Sequence, residues 1–137
     1  MTEKLLVTDT HPIIHFFCDG GKRLGKKALS AFNEAVSSTR TSIFVPAPVL
    51  WELSMLAEDN HIELQKPFSE WIDHLFQYSA INPLSFDVDT VKIFHEVHYH
   101  TDPFDRAIVA TAIQVELPLI TNDGMMHQHS PCQLIWD

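Results

Sequence analysis

The chain has 137 residues, 45% of them hydrophobic and 20% charged, with 18 acidic against 9 basic side chains for a formal net charge of −9. That length fits one domain over residues 1–137 with a core of ordinary size and leaves no room for a second. No apolar stretch approaches the roughly 18 residues of a membrane span, and MTEKLLVTDT does not read as a targeting segment, so a soluble, unprocessed chain is expected. Cys18 and Cys132 form no CxxC pair; neither a disulfide framework nor a thiolate metal site is indicated, and a reducing cytoplasm suits them.

In chain order, Lys4 to Thr8 (KLLVT) reads as a buried strand, with Asp9 at its carboxyl edge where a helix beginning HPIIHFF can start. Gly20 and Gly21 break the chain, and Leu24, Ala28, Phe32 and Ala35 then recur at helical spacing. Ser42 to Val45 (SIFV) is a short strand. Pro46 and Pro48 mark the entry to a helix through VLWELSMLAE, which puts Glu52 in its first turns. PFSEWIDHLF is amphipathic, with Phe68, Trp71, Ile72, Leu75 and Phe76 on one face. Tyr78 to Asn82 is a strand candidate, and Asp87 to His95 a helix with Val88, Val91 and Phe94 inward. DPFDRAIVATAIQVE is a nearly all-apolar helix, LPLIT a strand, Asn122, Asp123 and Gly124 a turn, and CQLIW a last strand.

Strands alternating with helices predict an α/β fold with a mostly parallel sheet, because right-handed crossovers carry each helix back over the sheet. Ligands of such sheets bind beyond the carboxyl ends of the strands. Four acids stand there: Asp9 after LLVT, Glu52 after SIFV, Asp105 in DPFDR and Asp123 after LPLIT. Crowded like charges repel by about a kcal/mol or more per close pair. Divalent metal relieves this, and oxygen-only donors favour Mg2+ or Mn2+ over zinc. Metal-assisted phosphodiester hydrolysis is the reaction class that follows. Each acid also has a structural reading: Asp102 before Pro103 is an N-cap with Asp105 at N3, Asp9 is a cap, Glu52 a surface acid and Asp123 a turn residue.

LLVTDTHPIIHFF, VPAPVLWEL, HYHTDPFDRAIVATA and LPLITNDGMM, in this order, resemble the signature blocks of PIN-domain proteins, in particular VapC-type toxin ribonucleases of type II toxin–antitoxin systems. DPFDR followed by an Ala-rich apolar helix is the most specific block. The resemblance implies a PIN-like three-layer α/β/α domain and a metal-dependent endoribonuclease. Asp9, Glu52, Asp105 and Asp123 are then the catalytic metal ligands, while Thr10, Asp102, His100, Thr121 and Asn122 neighbour the ligands or contact substrate. It also implies an RNA substrate, a cognate antitoxin whose basic side chain enters the acidic site, and a homodimer. The chain departs from its relatives in Pro46, Ala47, Pro48 and Val49 before the glutamate and in its acidity. Such a charge argues against gripping long duplexes. Lys22, Arg23, Lys26 and Lys27, a local cation cluster, are either a solvated helix start or a substrate contact.

Other readings stay open. HEVHYH and the His11–His15 pair have spacings that suit a transition metal, although separate histidines are commoner. Phe68, Trp71 and Phe76 could stack bases, although core packing or an interface is commoner at that spacing. The alternative functions are a non-catalytic PIN-like RNA- or protein-binding module and a magnesium-dependent aspartyl-phosphate domain. The latter wants adjacent acids after the first strand and a lysine after the last, whereas Asp9 is flanked by threonines and the final lysine is Lys92.

Overall fold

A computed structural model describes residues 3–38, 40–98 and 101–137. Five strands, β1 (Lys4–Thr8), β2 (Thr41–Pro46), β3 (Ile81–Leu84), β4 (Leu119–Ile120) and β5 (Leu134–Ile135), form one sheet in the order β3-β2-β1-β4-β5. Every pairing is parallel. β1 is central, and its last three residues, Leu6, Val7 and Thr8, are buried.

Seven helices connect the strands among the described residues: α1 (Thr10–Asp19), α2 (Lys26–Ser37), α3 (Ala47–Glu58), α4 (Phe68–Leu75), α5 (Val88–Glu96), α6 (Pro103–Val115) and α7 (Gly124–His129). The chain steps from β1 to β2 to β3 in one direction, then jumps across to β4 and β5 in the other. Right-handed crossovers in opposite directions cover opposite faces of the sheet, so the reversal leaves a crevice between the carboxyl ends of β1 and β4. The core between the layers is built on Ile13, Phe32, Ile43, Leu53, Ile81, Ile108, Leu119, Ile120 and Met126, all fully buried.

Four details depart from the sequence reading. β3 begins at Ile81 instead of Tyr78, because the Ile81 amide closes a turn onto the Tyr78 carbonyl (3.0 Å). Pro83, which has no N–H to donate, is tolerated there because β3 is an edge strand. In α5, Val88 and Val91 face solvent at 71% and 50% exposure, and Thr90 is buried in their place. The Thr90 hydroxyl hydrogen-bonds Asp87 in a capping box and Gln114 on α6, and with this polar tie on the buried side Val97 joins the core while Phe94 is half-buried under the Arg106 guanidinium. Asn122 and Asp123 do not simply turn the chain: Asp123 caps α7. LPLIT contributes only Leu119 and Ile120 to the sheet.

The other aromatic expectations resolve into packing. Phe16, Phe17, Phe68, Trp71 and Phe76 pack partly buried against the core, and Trp71 meets Phe17 edge-on at 6.4 Å. No helix among the described residues is long and apolar enough to cross a membrane.

Candidate metal centre

Asp9 stands where β1 becomes α1. Its amide donates to the Ile120 carbonyl (3.0 Å), prolonging the β1–β4 ladder by one rung. One carboxylate oxygen accepts from the Thr10 amide (2.7 Å) as the α1 cap, and the other accepts from the Thr121 hydroxyl (2.7 Å). The group is 6% exposed and is oriented from two sides. Thr121, fully buried at the end of β4, also accepts from the Asp123 amide (3.0 Å), so one hydroxyl couples two of the acids. Asp123 in turn caps α7 through the Met126 amide (2.9 Å), and His127 Nε2 donates back to the Thr121 carbonyl (2.8 Å).

Glu52 reaches the same place from the second turn of α3, where the Thr10 hydroxyl donates to it at 2.5 Å. Asp102 caps α6 by accepting from the Phe104 and Asp105 amides (2.8 and 3.2 Å), which puts Asp105 in the helix's first turn. The caps foreseen for Asp9 and Asp102 therefore form, and they are compatible with a site: capping fixes each carboxylate at a helix N-terminus that opens on the crevice.

Asp9, Glu52, Asp102, Asp105 and Asp123 together line one cleft of ≈ 310 Å³. Asn122 lines it as well, and so do His11, Pro12, His15 and Trp136. Burial, followed by the charges of Asp9, Asp102, Asp123 and Glu52, pushes the Asp105 carboxyl up to about 8. Asp9 is raised by burial against the opposing hydrogen bonds from Thr121 and Thr10, and Glu52 is raised by burial against the Thr10 hydrogen bond, with the Asp9 charge adding to the rise. The cluster thus holds more negative charge than its surroundings stabilise, and its donors are all hard oxygens. That donor set fits magnesium or manganese. Among the described residues, no three His, Cys, Asp or Glu side chains stand close enough together to hold a metal ion as they are placed. The carboxylates line an open cleft, with threonine hydroxyls engaged on Asp9 and Glu52.

All four expected ligands are therefore neighbours, and Thr10, Thr121, Asn122 and Asp102 lie beside them as expected. His100 lies outside the described residues. His95 and His98 are exposed, with ring centroids 6.3 Å apart. Lys92 sits on α5 beside Asp89 (3.8 Å) and does not line the cleft, so the aspartyl-phosphate alternative finds no lysine in it there. Lys22, Arg23, Lys26 and Lys27 are exposed around the start of α2, and none of them lines the acid cleft.

Two features escaped the sequence reading. His11 and His15, whose spacing also suits a transition-metal pair, flank the acids one helical turn apart on α1, and the sequence signal for this is their placement just after Asp9. Trp136 falls in CQLIW, which reads as a strand, but its place at the cleft follows from the pairing of β5 with β4.

Comparison with known proteins agrees with the fold. The PIN domain family profile matches residues 6–130. Ribonuclease VapC22 of Mycobacterium tuberculosis is 28% identical over 138 residues, covering 99% of this chain and 100% of the relative. Among solved structures, VapBC2 from Rickettsia felis bound to a promoter DNA fragment superposes with a TM-score of 0.68 at 14% identity, over 97% of this chain and 99% of that one. DNA-bound VapBC from Salmonella typhimurium gives 0.67 at 17% identity, over 98% of each chain. A toxin–antitoxin complex from Klebsiella pneumoniae gives 0.62 at 20% identity, over 95% of each chain. At such identities the structural likeness speaks for the fold.

Proposed function

The chain belongs to the PIN domain family, and on that footing we propose that residues 1–137 form a single domain acting as a metal-dependent endoribonuclease, the toxin of a toxin–antitoxin pair in the cytoplasm. The observation that carries this reading is the convergence of Asp9, Glu52, Asp105 and Asp123 in one cleft where burial and mutual repulsion raise the Asp105 carboxyl to about 8. Mg2+ or Mn2+ held by these four acids would supply Lewis acidity to a phosphate and to water, the chemistry of phosphodiester hydrolysis.

The chain's own residues supply the rest. Thr121 fixes the Asp9 carboxylate from below and ties it to Asp123, while Thr10 fixes Glu52, so the acids are oriented before any ligand arrives. Asn122, with its amide N–H groups, and His11 line the same cleft, within reach of a phosphate drawn to the acids.

The partners follow from the same charge. An antitoxin that placed one arginine or lysine among the acids would neutralise them and exclude RNA at once. The relatives solved as toxin–antitoxin complexes support such a partner. We also propose a homodimer. Its support is the apolar surface on α3, where Trp51 and Met55, one turn apart, are 65% and 43% exposed.

The test is cleavage of single-stranded RNA by purified protein with magnesium or manganese, repeated in excess EDTA. Cleavage that persists undiminished in EDTA, with contaminating nucleases excluded, refutes the metal reading. Coexpression with a small neighbouring gene, followed by pull-down, tests the antitoxin. A complex that leaves cleavage fully active counts against it.

A further inference from the structure

The acid cleft is lined by more than the groups that would hold metal. His11, Pro12, His15 and Trp136 line it together with the carboxylates. Of the three tryptophans, Trp51 is paired with Phe104 (5.2 Å, edge-on) and Trp71 with Phe17, whereas Trp136 is delivered to the cleft from the far end of the chain. It is held there firmly. The preceding residues Leu134 and Ile135 are hydrogen-bonded to β4 as β5, and the Trp136 carbonyl accepts from the Ala28 amide (3.0 Å) near the start of α2. At Gly25 the backbones approach so closely that an added Cβ would lie 2.4 Å from the Trp136 oxygen. The residue is half-buried and packs against the core, so its position is fixed before substrate arrives.

Resting on the nuclease reading above, we propose that Trp136 is a positioning residue that stacks an unpaired RNA base next to the scissile phosphate. A phosphate drawn to the acids by their cation leaves its neighbouring nucleoside inside the same ≈ 310 Å³ cleft. That base gains nothing from carboxylates that already repel one another, but every base has a π-face for an indole, whatever its identity. Stacking needs no positive charge, which answers how a chain of net charge −9 whose Lys22, Arg23, Lys26 and Lys27 lie off the cleft holds single-stranded RNA. It also excludes duplex, whose bases are already stacked within the helix.

The experiment is a four-way cycle on the full chain. Wild type and Trp136→Ala are each given a single-stranded RNA oligonucleotide, intact or with one abasic residue at each position in turn, so that the stacked base is located with or without cleavage. KM and kcat are measured with magnesium, and affinity is measured separately by anisotropy with Ca2+ in its place, so that a hard cation still seats the phosphate. Loss of one stack raises KM about 5- to 150-fold and leaves kcat less affected. The abasic oligonucleotide should cost wild type a similar factor and cost Trp136→Ala almost nothing more. Trp136→Phe should recover most of the affinity and Trp136→Leu should not, which separates a π-face from simple packing if Trp136→Ala unfolds. Losses that multiply, or a Leu variant as good as Phe, overturn the stack. A wild-type protein that cuts no RNA overturns the nuclease reading, and the anisotropy cycle still decides the stack.

Discussion

Asp105→Asn in metal-free protein should stabilise the fold, and the gain should grow with pH. Asp105 ionises near its ordinary value of 3.8 when unfolded, but only at about 8 when folded among the other acids. The folded state therefore holds a proton that the unfolded state releases, and stability is lost as pH rises from about 4 to about 8. A rise of about four pK units corresponds to a ceiling of about 6 kcal/mol at 1.36 kcal/mol per unit. The carboxyl is only half-buried beside an open cleft, so solvent screening brings the expected penalty down to about 1–3 kcal/mol. Loss of a carboxylate in the first turn of α6 offsets roughly 0.5 kcal/mol of this gain. With an unfolding entropy of about 2.1 cal/mol/K per residue, each kcal/mol is worth about 3–4 °C in a chain of this size. Thermal unfolding by circular dichroism in EDTA should show the variant roughly 2–9 °C above wild type at pH 8 and nearly level with it at pH 4. Saturating magnesium should reverse the order, because only wild type keeps the full ligand set. An equal gain at pH 4 and pH 8, or a wild type that is the more stable in EDTA at pH 8, would refute the reasoning.

Asp9→Asn should abolish RNA cleavage and magnesium binding by calorimetry while the metal-free protein stays folded, since an amide still accepts from Thr10 but binds a hard cation weakly. Thr121→Val removes the hydroxyl that joins Asp9 to Asp123 and leaves a buried carboxylate oxygen without its donor; chemical denaturation should show a loss of about 1–3 kcal/mol, and metal affinity should fall about 10- to 100-fold. Asp102→Ala should cost about 1 kcal/mol of stability through the α6 cap and leave metal binding in place; if it removed metal binding while Asp9→Asn kept it, the ligand assignment would be wrong. Gly25→Ala forces the C-terminal strand off α2 and should destabilise the fold by about 1–3 kcal/mol, with hydrogen exchange rising at Ala28.

What sequence determined here was whatever local chemistry encodes. Period and punctuation delimited β1, α1, β2, α3, α4 and α6, and the rule that parallel sheets bind at their carboxyl edge picked Asp9, Glu52, Asp105 and Asp123 from 18 acids. The DPFDR block and its neighbours carried the family. Tertiary structure decided whatever depends on partners distant in the chain. Val88 and Val91 look inward by period, but Thr90 is bound by Gln114 from another helix, and that bond sets the rotation of α5. Thr121 reads as a strand-end residue, and only the adjacency of β1 and β4 turns its hydroxyl into the link between Asp9 and Asp123. The elevated Asp105 carboxyl belongs to no residue alone, since it arises from burial and from four charges, three of them (Asp9, Glu52 and Asp123) brought in by other segments. Trp136 reaches the cleft because β5 pairs with β4: CQLIW reads as a strand, but which strand it pairs with depends on residues distant in the chain.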